Sequence, residues 1–527
     1  MMKKILLFIP FFAMTLMQAQ VSLVKDINPG SADGVIDQFI KYNNLILFTG
    51  NNSADGFEVW ASDGTALGTN FITSGSSAYN PENYYYSPTN NMIYYSAGGT
   101  FSSLHKTDGT LSGTAQINGN VLDSYSFLEF NNTTFFLGKV FNSSVSVGYQ
   151  MLSTDGTNTP IISFNGGEPR AMAIYNGLLY FSDTEGSGGN GYELWVTDGT
   201  ASGTNHFINI NTTATNFGNS YPIYLTVFNN KLYFSADNGT NGRELWVTDG
   251  TVAGTQLVID IYAGNIGSNP ENLTVFNNAL YFTATHPTFG NEVFKMTIAE
   301  NVTNLKNIAP SSGVSSNPSN LFVFDGKLYF SADDGINGVE LWSSTGFSST
   351  TNMVKNINTD AATPDSNPSD FAEYFGELYF AANDGVNGRE LWKTDGTNVG
   401  TVLVDDINTS GDSNPSDLIV ANNILFFSAN DGSTGIELWK YQDASLSVNN
   451  FELVNSISLF PNPTTNSFSI ESKFQIKNIS IIDIQGKMIK SFNEDLEVYK
   501  IEDLTSGLYF VNIETEQGKI TKKLIKE

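Results

Sequence analysis

The chain has 527 residues, 15% of them charged and 13% aromatic, and no cysteine. This composition describes a folded, turn-rich protein and excludes disulfides, thiolate zinc sites, cysteine nucleophiles and a lipid-bearing N-terminal cysteine. Lys and Arg number 25 against 53 Asp and Glu, a formal net charge of −28, which opposes binding to nucleic acid or an anionic membrane surface and leaves cations, sugars and proteins as partners.

Residues 1–20 open with Met1-Met2-Lys3-Lys4, continue through the apolar run Ile5 to Met17 and end in Gln18-Ala19-Gln20. A basic start, a short apolar stretch and a small residue near a cleavage point form the pattern of a secretory signal peptide. The run is shorter than the ~20 residues needed to span a bilayer. The mature chain is therefore expected to begin near Gln20 or Val21 and to carry no transmembrane segment.

From Val21 to Tyr441 one unit recurs. Glu-Leu-Trp or a close variant ends at Trp60, Trp195, Trp246, Phe294, Trp342, Trp392 and Trp439, and aligned Thr-Asp-Gly-Thr segments place two degenerate copies at His105 and Leu152. The nine positions lie 43 to 51 residues apart, a spacing that indicates blades or a solenoid. A well-formed copy holds four short β-type runs bounded by Asn, Asp and Gly turns, as in Leu321 to Phe324, Lys327 to Ala332 and Glu340 to Trp342. Four antiparallel strands in this length make one propeller blade. The segment Leu23 to Ile27 matches a fourth strand, and the last copy stops after its third strand at Trp439. The two ends thus complement each other, and the expected architecture is an all-β ring of eight or nine four-stranded blades, with one or both weak copies merged or missing. An open solenoid is the alternative.

These copies resemble the bacterial repeat family named for its Glu-Leu-Trp-x-x-Asp-Gly-Thr consensus, complete here at Glu193 to Thr200, Glu244 to Thr251 and Glu390 to Thr397. The resemblance implies a secreted repeat protein and brings no shared activity, so function rests on sites.

After a linker at 442–456 the composition changes. Residues 457–527 hold 9 Lys and 10 acids, so the acidic excess belongs to the repeats. Period-2 apolar runs at Phe468 to Ile470, Ile479 to Ile484 and Leu508 to Ile513 predict a small β-sandwich. Phe460-Pro461-Asn462-Pro463, Ile482 to Lys487, Leu504-Thr505-Ser506-Gly507-Leu508-Tyr509 and the basic end Lys522 to Lys526 resemble the type A C-terminal sorting domain of the bacterial type IX secretion system. That resemblance implies export across both membranes to the medium or outer surface of a diderm bacterium, with the type IX machinery as partner and the tail commonly removed.

Candidate chemistry in the repeats is sparse. All six tryptophans share one phase; they read either as sugar-stacking platforms or, more simply, as one large side chain per blade wedged between sheets. The loops Asp237 to Glu244 and Asp333 to Glu340, and Asn383 to Glu390 with Asn first, place oxygens at positions 1 and 5 and Gly at 6. This resembles the calcium loops of some propellers, although Gly at position 3 removes a ligand and a plain hairpin turn explains the same residues. Calcium is the one cofactor for which the sequence offers a case, and none is fixed by it. Ser331-x-Asp333-x-Gly335 echoes the Asp-box of sialidase-type propellers, yet those enzymes need three convergent arginines. Here only Arg170, Arg243 and Arg389 exist, and the last two share one repeat phase.

His105, His206 and His286 fall at different phases with no partner spacing, which argues against zinc and against a Ser-His-Asp site. No catalytic, cofactor-binding or metal residue is therefore assigned. The expected function is a non-enzymatic binding or adhesion module for a glycan or protein ligand; the alternative is an extracellular polysaccharide-degrading propeller using paired carboxylates.

Overall fold

The structure, a computed structural model, describes residues 20–73, 79–98, 102–142, 145–159, 170–184, 191–213, 218–360, 362–442, 457–482, 488–492, 496, 498–515 and 518–527. The expected signal peptide before Gln20, residues 443–456 of the expected linker and residues 483–487 lie outside them.

Each blade is a meander whose second strand is buried along both faces. Lys327–Asp333 shows the pattern: every residue from Leu328 to Ala332 is buried, because this strand is sandwiched between the neighbouring sheets and needs apolar side chains on both sides. The turn into it is a two-residue hairpin. Asn229 and Asn230 (φ 46° and 54°), Asn277 and Asn278 (45° and 55°), and Asp325 and Gly326 (42° and 68°) are all left-handed at both central positions, as a type I′ turn requires and Asn, Asp and Gly best tolerate.

The first strands are the innermost. Among the described residues they are Val35–Tyr42, Glu82–Ser87, the second half of Ala115–Phe130, Arg170–Tyr175, Ile223–Phe228, Glu271–Phe276, Ser319–Phe324, Ser369–Tyr374 and Ser416–Ala421. Each lies beside the first strands of the blades before and after it, and the ninth lies beside the first. The circuit closes on nine. Gln20–Lys25 joins Ile436–Gln442, Ile424–Asn430 and Ser416–Ala421 as the fourth strand of the last blade, which removes the edge an open sheet would expose.

The two weak copies are the ones that merge. The second and third share one six-stranded sheet through Ala115–Phe130, whose first part pairs with Ser103–Thr107 and whose later part pairs with Thr133–Asn142. The chain passes from one blade to the next without a turn, despite Asn118-Gly119-Asn120.

Trp60, Trp195, Trp246, Trp342 and Trp392 are buried core residues, and Trp439 is partly buried. Trp195 shares a buried cluster with Phe130 and Phe135 of the third blade, Trp246 with Tyr175 and Tyr180 of the fourth, Trp342 with Phe276 and Tyr281 of the sixth and Trp392 with Phe324 and Tyr329 of the seventh. In these four blades one ring thus belongs to the core of the seam with the blade before it. Phe294 does the same against Phe228 and Tyr233.

Val21–Lys440 forms one compact unit and Tyr441–Glu527 belongs to a second. In the second, Ile457–Phe460, Ser467–Ser472 and Tyr499–Lys500 form one sheet, and Met488–Phe492, Ile476–Ile482, Gly507–Thr515 and Gly518–Lys526 form another. Phe468, Tyr499, Ile479, Ile481, Val511 and Leu524 make their shared core. The Pro-Asn-Pro turn clamps the basic end: Ile525 N–H donates to Asn462 Oδ1 (2.8 Å), and Asn462 Nδ2 donates to Lys523 O (2.6 Å).

Removing residues 20–28 takes away the closing strand and the two amides that meet Glu437 (Ile27 at 2.9 Å and Asn28 at 3.3 Å). The truncated chain is expected to lose more than about 3 kcal/mol in urea unfolding, because a buried carboxylate loses its donors, and to associate through the bared edge of Ile436–Gln442. An unchanged midpoint and a monomeric elution profile would show that the ring does not depend on this strand.

Candidate functional site

The glutamate of Glu-Leu-Trp is where the repeat concentrates its polar bonding. Glu193, Glu244, Glu292, Glu340, Glu390 and Glu437 are fully buried. Glu340 accepts the N–H groups of Ile357 (2.9 Å) and Asn358 (3.0 Å), where the chain leaves the fourth strand, and the hydroxyl of Ser366 (2.6 Å), which leads into the next blade. Glu292 repeats this with Ile308, Ala309 and Ser316 (3.1, 3.3 and 2.6 Å). Glu193 does so with Ile210, Asn211 and Ser220 (2.8, 3.2 and 2.6 Å). One carboxylate therefore ties three successive elements across a blade boundary. Burial pushes Glu193, Glu292, Glu340 and Glu437 up to about 7, against the lowering pull of those hydrogen bonds.

The Asp-Gly-Thr turn is equally framework. Asp249 Oδ1 accepts from the N–H (2.9 Å) and the hydroxyl (2.7 Å) of Thr251. The glycine lies against the preceding blade: a Cβ on Gly346 (φ 98°) would sit 2.4 Å from Tyr281 Oη, and one on Gly396 2.5 Å from Tyr329 Oη.

In the loops before Glu-Leu-Trp, the side-chain oxygens are turned onto the backbone. Asp333 Oδ1 accepts from Gly335 N–H (2.7 Å), Asp334 Oδ1 accepts from Ile336 (2.9 Å) and Asn337 (2.7 Å), and Asp334 Oδ2 accepts from Asn337 Nδ2 (2.8 Å). Among the described residues no group of three or more His, Cys, Asp and Glu is placed to hold a metal ion.

The arginines serve the inner strands. Arg243 donates to the carbonyls of Tyr221 (2.8 Å) and Ser235 (3.0 Å), and Arg389 to Asn367 O (2.7 Å) and Ser369 Oγ (2.6 Å). Arg170 opens the fourth inner strand, and its side chain lies outside the description. The histidines are dispersed: His105 occupies the tryptophan phase between Tyr79 and Tyr95, His206 lies edge-on to Trp195 and His286 stacks on Phe289.

Two features lay outside the sequence reading. The first is a ring of left-handed residues at one phase of all nine inner strands: Gln38, Asn83, Ser126, Ala171, Tyr224, Asn272, Asn320, Asp370 and Asp417, with φ between 47° and 66°. The pairing of the inner strands slips at this point, as between Ser319 and Phe322, and a bulge there re-aims side chains. Asn and Asp tolerate the conformation, whereas Ala171 and Tyr224 are held in it at a cost of about 1–2 kcal/mol each. Neighbouring blades are linked at these bulges: Gln38 N–H donates to Asp417 Oδ1 (3.3 Å), and Asn83 N–H to Gln38 Oε1 (2.5 Å). Burial raises Asp417, with the charges of Asp37 and Asp370 adding to it, and burial raises Asp37.

The second is a cleft of about 530 Å³ at the seam between the third and fourth blades. Phe130, Phe135, Thr133 and Ser153 line it from the third blade, together with Asp155, and Asp198, Gly199 and Thr200 line it from the fourth. Its signal in the sequence is a coincidence of three consensus losses on adjacent strands.

Residues 458–527 match the secretion system C-terminal sorting domain. This marks the chain as type IX cargo, exported to the cell surface or secreted. No curated protein matches the chain. Among solved structures it is similar to PorZ, described as an essential bacterial surface component of the type IX secretion system of Porphyromonas gingivalis, at 11% identity, 93% coverage of this chain and 75% of that one, and a TM-score of 0.36. It is also similar to a puromycin hydrolase, at 9% identity over 69% of this chain and 60% of that one, with a TM-score of 0.38. The extracellular domain of BT4673 from B. thetaiotaomicron matches at 11% identity over 96% of this chain and 69% of that one, with a TM-score of 0.35.

The buried glutamates set a pH dependence. Their carboxyls are raised in the folded chain, so the native state holds more protons than the unfolded one between the ordinary carboxyl range and about 7. Their contribution is therefore greatest at low pH, falls as pH rises through 7 and is level above it. Glu292→Gln/Glu340→Gln is expected to flatten the decline in stability between pH 5 and 7.5 by about 1–3 kcal/mol in denaturant titrations. A slope equal to that of the parent would place the pH dependence elsewhere.

Proposed function

We propose that the nine-bladed unit is a non-enzymatic binding module for a protein or glycan, carried out of the cell by its sorting domain. On this reading residues 1–20 are a signal peptide, and the blades are copies of the Glu-Leu-Trp-x-x-Asp-Gly-Thr repeat. Propeller 21–441, linker 442–456 and sorting domain 457–527 then have separate tasks. The observation that carries it is the use of the recurrent polar groups: the glutamates join blades, while the Asp-Gly-Thr aspartates, Arg243 and Arg389 bond the backbone and side chains of their own blades, so all are spent on the framework. An enzyme needs unlike groups converging on one point, whereas a binder needs only a shaped surface where blades differ, as at the seam of the third and fourth.

The rival reading, cleavage of a polysaccharide by two carboxylates, has one observation in its favour. Asp37 and Asp417 are carboxyls on adjacent inner strands, both raised by burial, and the charge of Asp37 adds to the rise at Asp417. A glycan and protein array probed with the mature propeller, with reducing ends followed in parallel, separates the two. Retention of ligand without release of reducing ends is expected; turnover that Asp37→Asn/Asp417→Asn abolishes would replace the binding reading with the enzymatic one. Deleting 457–527 is expected to hold the protein in the periplasm, and its undiminished appearance in the medium would contradict export by this domain.

A further inference from the structure

Comparison of the seams shows what normally fills the place occupied by the cleft. In the second and sixth blades, Tyr94 stands opposite Lys106 and Tyr281 opposite Lys295 on the second and third strands. The lysines cross the seam: Lys106 Nζ donates to Gly156 O (2.8 Å) and Lys295 Nζ to Gly346 O (2.9 Å), each the glycine of the next blade's turn. Lys440 of the ninth blade donates likewise to Gly64 O (2.8 Å). The ammonium of Lys295 also lies 5.7 Å from the Tyr281 ring centre and 5.1 Å from that of Phe347. In the fifth and seventh blades the lysine comes instead from the start of the second strand. Lys231 binds Glu300 (2.6 Å), and Lys327 Nζ lies 2.8 Å from where a Cβ of Gly396 would stand. Other seams use apolar bulk: Ile424 and Phe426 also press on Gly64, Tyr42 and Leu45 on Gly109, and Tyr175 and Tyr180 on Gly250.

The third blade lacks the lysines and keeps only apolar bulk, Phe130 and Phe135. The cross-strand pair is Phe135 with Ser153, so the phenol and the lysine are both lost, and Thr133 stands where Lys231 and Lys327 stand in their blades. Gly199 of the fourth blade nevertheless keeps the left-handed conformation of Gly346, φ 98° in both, and packs on Phe130 and Phe135. The result is a socket with an aromatic floor, a turn glycine like those that receive lysines elsewhere, and Asp155 and Asp198 in its lining. Hydrogen bonds from Asn158 and Thr157 hold Asp155 well below the usual carboxylate range, and those from Thr200 lower Asp198.

We propose that this cleft receives a primary alkylammonium, namely the side chain of a lysine on a partner protein. The proposal rests on the binding-module reading and deepens it by naming the ligand group. The chain itself supplies the precedent, since in three other seams its own ammonium lies across the blade boundary on the equivalent carbonyl. An aromatic floor favours a cation, and two carboxylates together with a net charge of −28 draw one in.

The test uses the full exported chain and three probes: the peptide acetyl-Gly-Lys-Gly-amide, its Nζ-acetylated form and a neutral oligosaccharide. The free-amine peptide is expected to bind in calorimetry or by chemical-shift mapping, more weakly as salt rises, and the acetylated peptide not to bind. Ser153→Lys supplies the lysine that other seams possess; it is expected to raise the melting temperature and weaken peptide binding at least about tenfold. Asp198→Asn is expected to weaken binding without filling the cleft, which keeps the test sound if the lysine variant folds poorly. Equal binding of the two peptides, preference for the oligosaccharide, or an affinity that neither variant alters would overturn the proposal. The binding-module reading falls separately: array ligands retained by a chain that ignores the lysine peptide leave that reading standing and remove only the assignment of the cleft.

Discussion

A carboxylate buried at every well-formed blade boundary is the constraint on which the rest of this fold depends. Sheets stacked around a ring meet face to face through apolar rings such as Trp342 on Tyr281, and such packing is non-directional. The glutamate adds direction. Because Glu340 accepts two amides at the exit of one blade and a hydroxyl at the approach to the next, the connection between blades has one geometry. An unsatisfied carboxylate there would be costly. The serine of the Ser-Asn-Pro segment and the left-handed asparagine after it lie on that path. Closure uses the same device: Glu437 of the last blade meets Ile27 and Asn28 from the chain's start, about 410 residues away.

Much of this was legible in the sequence, and the reason is periodicity. Second strands such as Leu328 to Ala332 are apolar on both faces, tryptophans recur at one phase, and Leu23 to Ile27 supplies a strand that the last copy lacks. These are local patterns, and local patterns survive translation into strands. The role of the glutamate was not legible, because its serine partner lies 23 to 27 residues away in the following unit. Merging of the weak second and third copies was within the sequence expectation, but the place where their sheets join was not legible. Asn118-Gly119-Asn120 is a turn signal by composition, yet the chain continues as strand there because both neighbouring strands remain available to pair.

The cleft was illegible for another reason. Thr133, Phe135 and Ser153 each read as an ordinary loss of consensus, and only the register that sets Phe135 opposite Ser153 shows that the losses coincide. In a repeat protein the framework is written many times and function is written once. A specific site is therefore found where several framework residues are absent together on one seam, more readily than where an unusual residue is gained.

The central claim, that each glutamate fixes its own blade boundary, is tested most directly by native-state hydrogen exchange on Glu340→Ala. The account predicts that the amides of Ile357 and Asn358 lose protection by several orders of magnitude while Ile308 and Ala309, held by Glu292, keep theirs. Unchanged protection at Ile357 and Asn358 would contradict it, since the boundary would then be held by apolar packing alone.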